Sequence, residues 1–253
     1  MNIKHLAKKV DNAAANASPI AQLTKANDFS IDDAYAIQRA SIERRLSRGE
    51  EFIGVKMGFT SKAKMEQMGV HDLIFGVLTS EMSIDNGGQV AFSKFIHPRA
   101  EPEIAFRISE TIDSELSLQS LSGHVDGIAP AIEIIDSRYE NFKFNLEDVL
   151  ADNCSSSGLV IGDWSRPEID VDDLKMELVI NGQVRQLGNS RAILEDPWAA
   201  LQHATRLASK YGWTIPKGSI VLAGAATPAE FLAKGDEVKV IVESLGEASF
   251  SVT

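Results

Sequence analysis

Apolar and polar positions alternate most clearly between His97 and Ile108, HPRAEPEIAFRI. A period of two is that of a β-strand, whose successive side chains point to opposite faces. Arg99, Glu101, Glu103 and Ala105 then share one face, and Ile104, Phe106 and Ile108 the other. Similar runs predict strands over 52–57, 130–135, 158–162, 175–180, 219–223, 236–243 and 247–252, and Asn181-Gly182 marks a hairpin. A period near 3.6 predicts helices over 3–14 and 30–49. Ser30 and Asp33 form a capping-box-like start to the second, with Ile31, Tyr35, Ile42 and Leu46 along one stripe. A short helix is expected from Ser61 to Gly69. A further one is capped by Asp196, has Pro197 in its first turn, is lined by Trp198, Leu201 and Leu207, and is closed by Gly212. Residues 71–96 read as loop-rich, with a turn at Asp85-Asn86-Gly87-Gly88. Many strands with few helices between them argue against a doubly wound sheet. They predict an α+β chain: an α/β part over 1–95 carrying the helices, then a mixed or mostly antiparallel β core over 96–253.

One feature of this pattern is chemical. If the apolar face of 99–108 enters a core, two carboxylates two residues apart line the opposite face. About thirty residues on, PAIEIIDSR places Glu133 among Ala131, Ile132, Ile134 and Ile135. Alternating charge on a strand is most often a solvent face, and Arg99 could simply pair with Glu101. Glu133 shifts the balance, because burying an unpaired carboxylate costs several kcal/mol or forces it to take up a proton. Clustered acids in apolar strands therefore point to a cation between them. Three oxygen donors without a partner Cys or His suit a hard divalent ion, Mg²⁺ or Mn²⁺.

Composition narrows the remaining choices. The 253 residues are 44% hydrophobic and 24% charged, and carry a net charge of −11, which argues against nucleic acid or an anionic membrane as partner. No run approaches the roughly 18 apolar residues of a membrane span. The first residues lack the apolar region of a signal peptide, and Cys154 is the only cysteine, so a reducing, cytoplasmic setting is expected. The histidines lack zinc-site spacing, and there is no Walker loop, GxGxxG or GxSxG motif.

Three further stretches could serve a site. Lys56 stands in the apolar run GVKMG and needs a carboxylate or bound anion if buried; a strand-edge lysine in solvent is the alternative. The small-residue loop Asp152-Asn153-Cys154-Ser155-Ser156-Ser157-Gly158 could let backbone approach a ligand, or simply connect two elements. The run IVLAGAAT, 220–227, is an apolar strand ending in small residues, as where a strand abuts a cavity.

GVKMGFTSKAKMEQMGV, HPRAEPEIAF, PAIEIIDSR, the DN-x-S-S loop and IVLAGAAT, in this order and spacing, resemble the fumarylacetoacetate-hydrolase-like superfamily. The branch they resemble holds 2-keto-4-pentenoate hydratases and 4-oxalocrotonate decarboxylases; KMGFTSKAKM, HPR and LAGAAT are more similar to the decarboxylases. The resemblance implies a mixed, rolled β-sandwich core (fumarylacetoacetase C-terminal-like). It implies that Glu101, Glu103 and Glu133 ligate Mg²⁺ or Mn²⁺, that Lys56 is an active-site lysine, and that Ser156 lines the pocket. Arg99 would help to orient the acidic strand. The implied reaction is metal-dependent loss of CO₂ from a small 2-oxo dicarboxylate, 2-oxo-3-hexenedioate, giving 2-hydroxypenta-2,4-dienoate in meta-cleavage degradation of aromatic compounds. The alternatives are hydration of that dienol, or a non-catalytic partner subunit. A homo-oligomer and a complex with a homologous hydratase are also implied.

Overall fold

The computed structural model describes residues 1–60 and 72–253; the short helix expected from Ser61 lies outside them. Helices α1 (Ile3–Ala15) and α2 (Ile31–Ser47) come first. The Ser30–Asp33 capping box is present, each side chain bonded to the other's backbone N–H. Tyr35 and Ile42 are buried and Leu46 half-buried, while Ile31 is 41% exposed, so the stripe is carried instead by Ala34, Ile37 and Ile42.

Thirteen strands form two sheets among the described residues. The larger joins β1 (Phe52–Gly58), β2 (Ile74–Thr79), β3 (Ser83–Ile84), β5 (Arg99–Ile108), β6 (Val125–Ile135), β7 (Ser156–Ile161), β10 (Ile220–Leu222) and β11 (Glu230–Phe231). Its order is β2-β1-β10-β5-β6-β7-β3, with β11 added on β5. The smaller has the order β4-β13-β12-β8-β9, from β4 (Gly88–Val90), β8 (Lys175–Ile180), β9 (Gln183–Asn189), β12 (Glu237–Val242) and β13 (Gly246–Val252). Both are mixed: β1–β10, β3–β7 and β4–β13 run parallel and the other pairs antiparallel. Asn181 and Gly182 make the β8–β9 turn, both at positive φ as a type I′ turn requires.

Several elements depart from the sequence expectation, among them the short strands β3, β4 and β11. β2 lies in the stretch read as loop. IFGVLT is buried at all six positions, so it has no polar face and no alternation to betray it. β6 starts five residues before the predicted strand, at Val125-Asp126-Gly127. A third helix, α3 (Leu146–Ala151), is set by an Asn145–Asp148 capping box. The helix after Asp196, α4 (Pro197–Lys210), has its expected cap, with the Asp196 carboxylate accepting from the Trp198 N–H at 2.9 Å.

One face of the larger sheet presents Val55, Met57, Phe106, Ile128, Ile132 and Val221 to the main core, against the helices and the smaller sheet. Phe106 packs on Trp198 of α4 with ring centroids 4.8 Å apart. β1 and β2 precede residue 95, yet they share a sheet with β5 and β6, and the core takes residues from both sides of that position. The opposite face is concave. β2, at one end of the strand order, touches β7 near the other end, so the sheet curls into a partial barrel.

Candidate metal centre and its lysine

Strand register brings the acids together. Glu101 on β5 is directly opposite Glu133 on β6, and Glu103 lies two pairs along on the same face, opposite Ala131. Like charges directly opposite in a sheet are destabilising. Here they are also withdrawn from water: Glu103 and Glu133 are fully buried and Glu101 is 7% exposed. One oxygen from each lies within 4.8 Å of the others.

Lys56 reaches the same place from β1. Val55 and Met57 fill the main core, which leaves Gly54, Lys56 and Gly58 on the concave side. On a flat sheet three strand spacings, about 14 Å, would separate β1 from β6. The roll closes that gap, and Lys56 Nζ lies 2.9 Å from Glu133 Oε2 as an ion pair and 3.3 Å from the Cys154 carbonyl oxygen. The lysine stem crosses Gly76 of β2, where a Cβ would stand 3.0 Å from both Lys56 Cγ and Cδ. Glycine leaves the stem its path.

The Gly224 N–H, just past β10, donates to Glu103 Oε2 at 2.7 Å. Glu103 Oε1 and Glu133 Oε1 receive no hydrogen bond among the described residues. Burial pushes the pKa of Glu103 far above the carboxylate range, and the nearby Glu133 adds to it. Burial also raises Glu133, against the pull of Lys56. Burial disfavours the charged lysine, but Glu133, with Cys154, Glu103 and Glu101 adding to it, outweighs burial and holds Lys56 protonated, above its ordinary value. The unbonded oxygens of Glu103 and Glu133 and the all-oxygen donor set together fit a hard divalent cation.

Arg99 and Ser156 stand apart from this cluster. The Arg99 guanidinium lies between the rings of Phe142 and Phe231, 4.0 and 4.1 Å from their centroids. Burial lowers its pKa against the field of Glu101. The Ser156 hydroxyl lies against Met82 Sδ at 3.9 Å, and its carbonyl accepts from Arg138 at 3.0 Å. No hydrogen bond joins either side chain to Glu103, Glu133 or Lys56 among the described residues. The sequence reading missed two backbone partners, the Gly224 N–H and the Cys154 carbonyl. IVLAGAAT did signal a strand end at a cavity; the carbonyl has no side chain to announce it.

A rolled mixed sheet that buries three converging glutamates beside a lysine makes a candidate divalent-metal site at the heart of a β core. The chain belongs to the fumarylacetoacetate (FAA) hydrolase C-terminal family, whose signature matches residues 53–253. A 4-oxalocrotonate decarboxylase from Pseudomonas sp. is 46% identical over 253 residues, 100% of this chain and 99% of that protein. A 2-keto-4-pentenoate hydratase from Dechloromonas aromatica is 33% identical over 241 residues, covering 94% of this chain and 92% of its own. Among solved structures, the 4-oxalocrotonate decarboxylase from Pseudomonas putida G7 complexed with magnesium and adipate superposes with a TM-score of 0.95. It is 35% identical, over 99% of this chain and 97% of its own. The same enzyme with calcium and acetate gives a TM-score of 0.94 at 33% identity, over 99% and 97% of the two chains.

Proposed function

We propose that the chain is a 4-oxalocrotonate decarboxylase, a carboxy-lyase that removes CO₂ from 2-oxo-3-hexenedioate in the meta-cleavage breakdown of aromatic compounds. The observation that carries the reading is the buried Glu101–Glu103–Glu133 cluster with Lys56 at 2.9 Å, in a chain more similar to decarboxylases, at 46%, than to hydratases, at 33%.

Glu101, Glu103 and Glu133 would hold Mg²⁺ or Mn²⁺. Bound there, the ion supplies Lewis-acid polarisation of a 2-oxo acid's ketone and carboxylate. The reaction itself is a vinylogous β-keto-acid decarboxylation. The C5–C6 bond breaks and its electron pair forms C4=C5, the C3=C4 π pair shifts to C2=C3, and the carbonyl π pair moves onto the C2 oxygen. CO₂ departs, and a proton on that oxygen completes 2-hydroxypenta-2,4-dienoate. Lys56 answers the charge: a buried ammonium, kept protonated by Glu133, neutralises the developing enolate and carries the proton it needs. The apolar walls around it, Leu78, Leu159 and Leu222 on the concave face, exclude water. Arg99 orients the start of the acidic strand from its aromatic clamp, and Ser156 lines the loop side of the site. No covalent nucleophile is required, and Cys154, whose thiol burial pushes up to about 12, supplies none.

The protein acts as a homo-oligomer able to associate with a homologous hydratase in the cytoplasm. No helix among the described residues is long and apolar enough to cross a membrane. The intact cluster favours an enzyme over a non-catalytic subunit. The deciding experiment supplies purified protein and Mg²⁺ with 2-oxo-3-hexenedioate and, separately, with 2-hydroxypenta-2,4-dienoate. CO₂ release from the first, abolished by EDTA and restored by Mg²⁺ or Mn²⁺, is the expected result. Consumption of the second alone, giving 4-hydroxy-2-oxopentanoate, would make the protein a hydratase.

A further inference from the structure

The turn between α3 and β7 is conformationally costly. Asn153, Cys154 and Ser155 hold φ of 50°, 53° and 60°, three consecutive non-glycine residues in the left-handed region. The left-handed region is disfavoured for any residue with a Cβ, and the conformation persists only where its surroundings over-determine it.

Two side chains do so here. Asn153 is buried and acts as a surrogate strand. Its Oδ1 accepts from the Val77 N–H and its Nδ2 donates to the Val77 carbonyl, both at 2.8 Å, so the outer edge of β2 is paired to the turn. Arg138, 4% exposed, grips the other side. Its guanidinium is bonded to both the carboxylate and the carbonyl of Asp152. It also donates to the Asp136 and Ser156 carbonyls at 2.8 and 3.0 Å and to Ser157 Oγ at 2.6 Å. What the strained turn presents to the concave face is the Cys154 carbonyl, 3.3 Å from Lys56 Nζ. With Glu133 on its other side, that oxygen fixes the direction in which the ammonium points.

We infer that Asn153 and Arg138 are positioning residues for Lys56, holding a left-handed turn whose Cys154 carbonyl aims the lysine. The inference rests on the reading of Lys56 as an active-site group. It requires that loss of the turn act through the lysine and through little else, because the glutamates sit on β5 and β6 and none of them is bonded to the turn among the described residues.

The test is a double-mutant cycle on the Mg²⁺-loaded enzyme with 2-oxo-3-hexenedioate. Asn153→Ala should lower kcat at least ten-fold, with KM and the Mn²⁺ dissociation constant each within about three-fold of wild type. Hydrogen exchange of the Val77 amide should quicken. In the Lys56→Ala background, followed at high enzyme concentration, Asn153→Ala should lower the residual kcat less than two-fold. Equal losses in both backgrounds, or an Mn²⁺ affinity that falls as far as kcat, would overturn the inference alone. Full turnover by Lys56→Ala would instead sink the lysine assignment and the inference with it. If Asn153→Ala does not fold, residue 154 gives an independent comparison. Glycine accepts φ near 53° and a β-branched residue resists it, so kcat of Cys154→Val should lie at least ten-fold below that of Cys154→Gly. Equal values for the two overturn the positioning role.

Discussion

At the scale of single residues, the site is a set of charges that water would ordinarily separate. Glu103 has one oxygen satisfied by the Gly224 N–H and one without a donor among the described residues, so its charge is costly unless a cation shares it. Replacing it with glutamine keeps an acceptor for Gly224 and removes one of three converging charges. Glu103→Gln is therefore expected to lower turnover by about 10³-fold or more, while leaving the EDTA-treated protein at least as stable as wild type in thermal melts. A variant as active as wild type would remove Glu103 from the metal set. The acidic cluster was legible at this scale because Glu133 stands alone among apolar residues, and a buried acid needs an explanation. Lys56 was half-legible, since its run, GVKMG, fits a strand edge as well as a site. The Gly224 N–H and the Cys154 carbonyl could not be assigned, because backbone groups acquire a role only from the fold around them.

At the scale of elements, what the sequence displayed was amphipathicity and end signals, and these located α2, α4, β5 and the β8–β9 hairpin. What it concealed was complete burial: β2 is apolar on both faces, so it has no period. Helix α1 is tied to α2 through a charge that its own sequence does not explain. Asp11, 3% exposed, accepts from Arg44 Nε and from both terminal nitrogens of Arg48, all at 2.7 Å. Burial works to raise its pKa, but the two arginines outweigh it and hold the carboxyl below its ordinary 3.8. A depressed carboxyl contributes stability that is present above the unfolded value and is lost as pH falls through the folded one. Arg44 and Arg48 are partly solvated, with side chains 37% and 45% exposed, so screening reduces what the pair is worth. Asp11→Asn is expected to cost about 1–2 kcal/mol at pH 7. Urea melts should show the gap between variant and wild type closing below about pH 4, as the carboxyl protonates. A gap that persists undiminished at pH 3 would mean that packing, not charge, joins the two helices.

At the scale of the whole molecule, the fold works by rolling one sheet until distant strands face each other. Lys56 and Glu133 meet only because β1 and β6 curl toward one another, and Asn153 seals the curl by pairing with β2. The division at residue 95 is then a proposal about cooperative units that melting can examine. With β1 and β2 inside the larger sheet and one core crossing that position, the chain should unfold in a single transition. The metal should raise that transition as a whole. An ion that binds only the native cluster stabilises by RT ln(1 + [L]/Kd), about 2.7 kcal/mol at a hundred times Kd. For a chain of this length each kcal/mol is worth roughly 2–4 °C, so saturating Mg²⁺ should lift the melting temperature of the EDTA-treated protein by about 5–10 °C. Because the ion also relieves repulsion among Glu101, Glu103 and Glu133, the shift should vanish in Glu103→Gln while the melt stays a single step. An undiminished shift in that variant would place the stabilising ion elsewhere. A melt that splits into two steps, only the later one responding to Mg²⁺, would mean that 1–95 and 96–253 unfold as separate units despite their shared sheet.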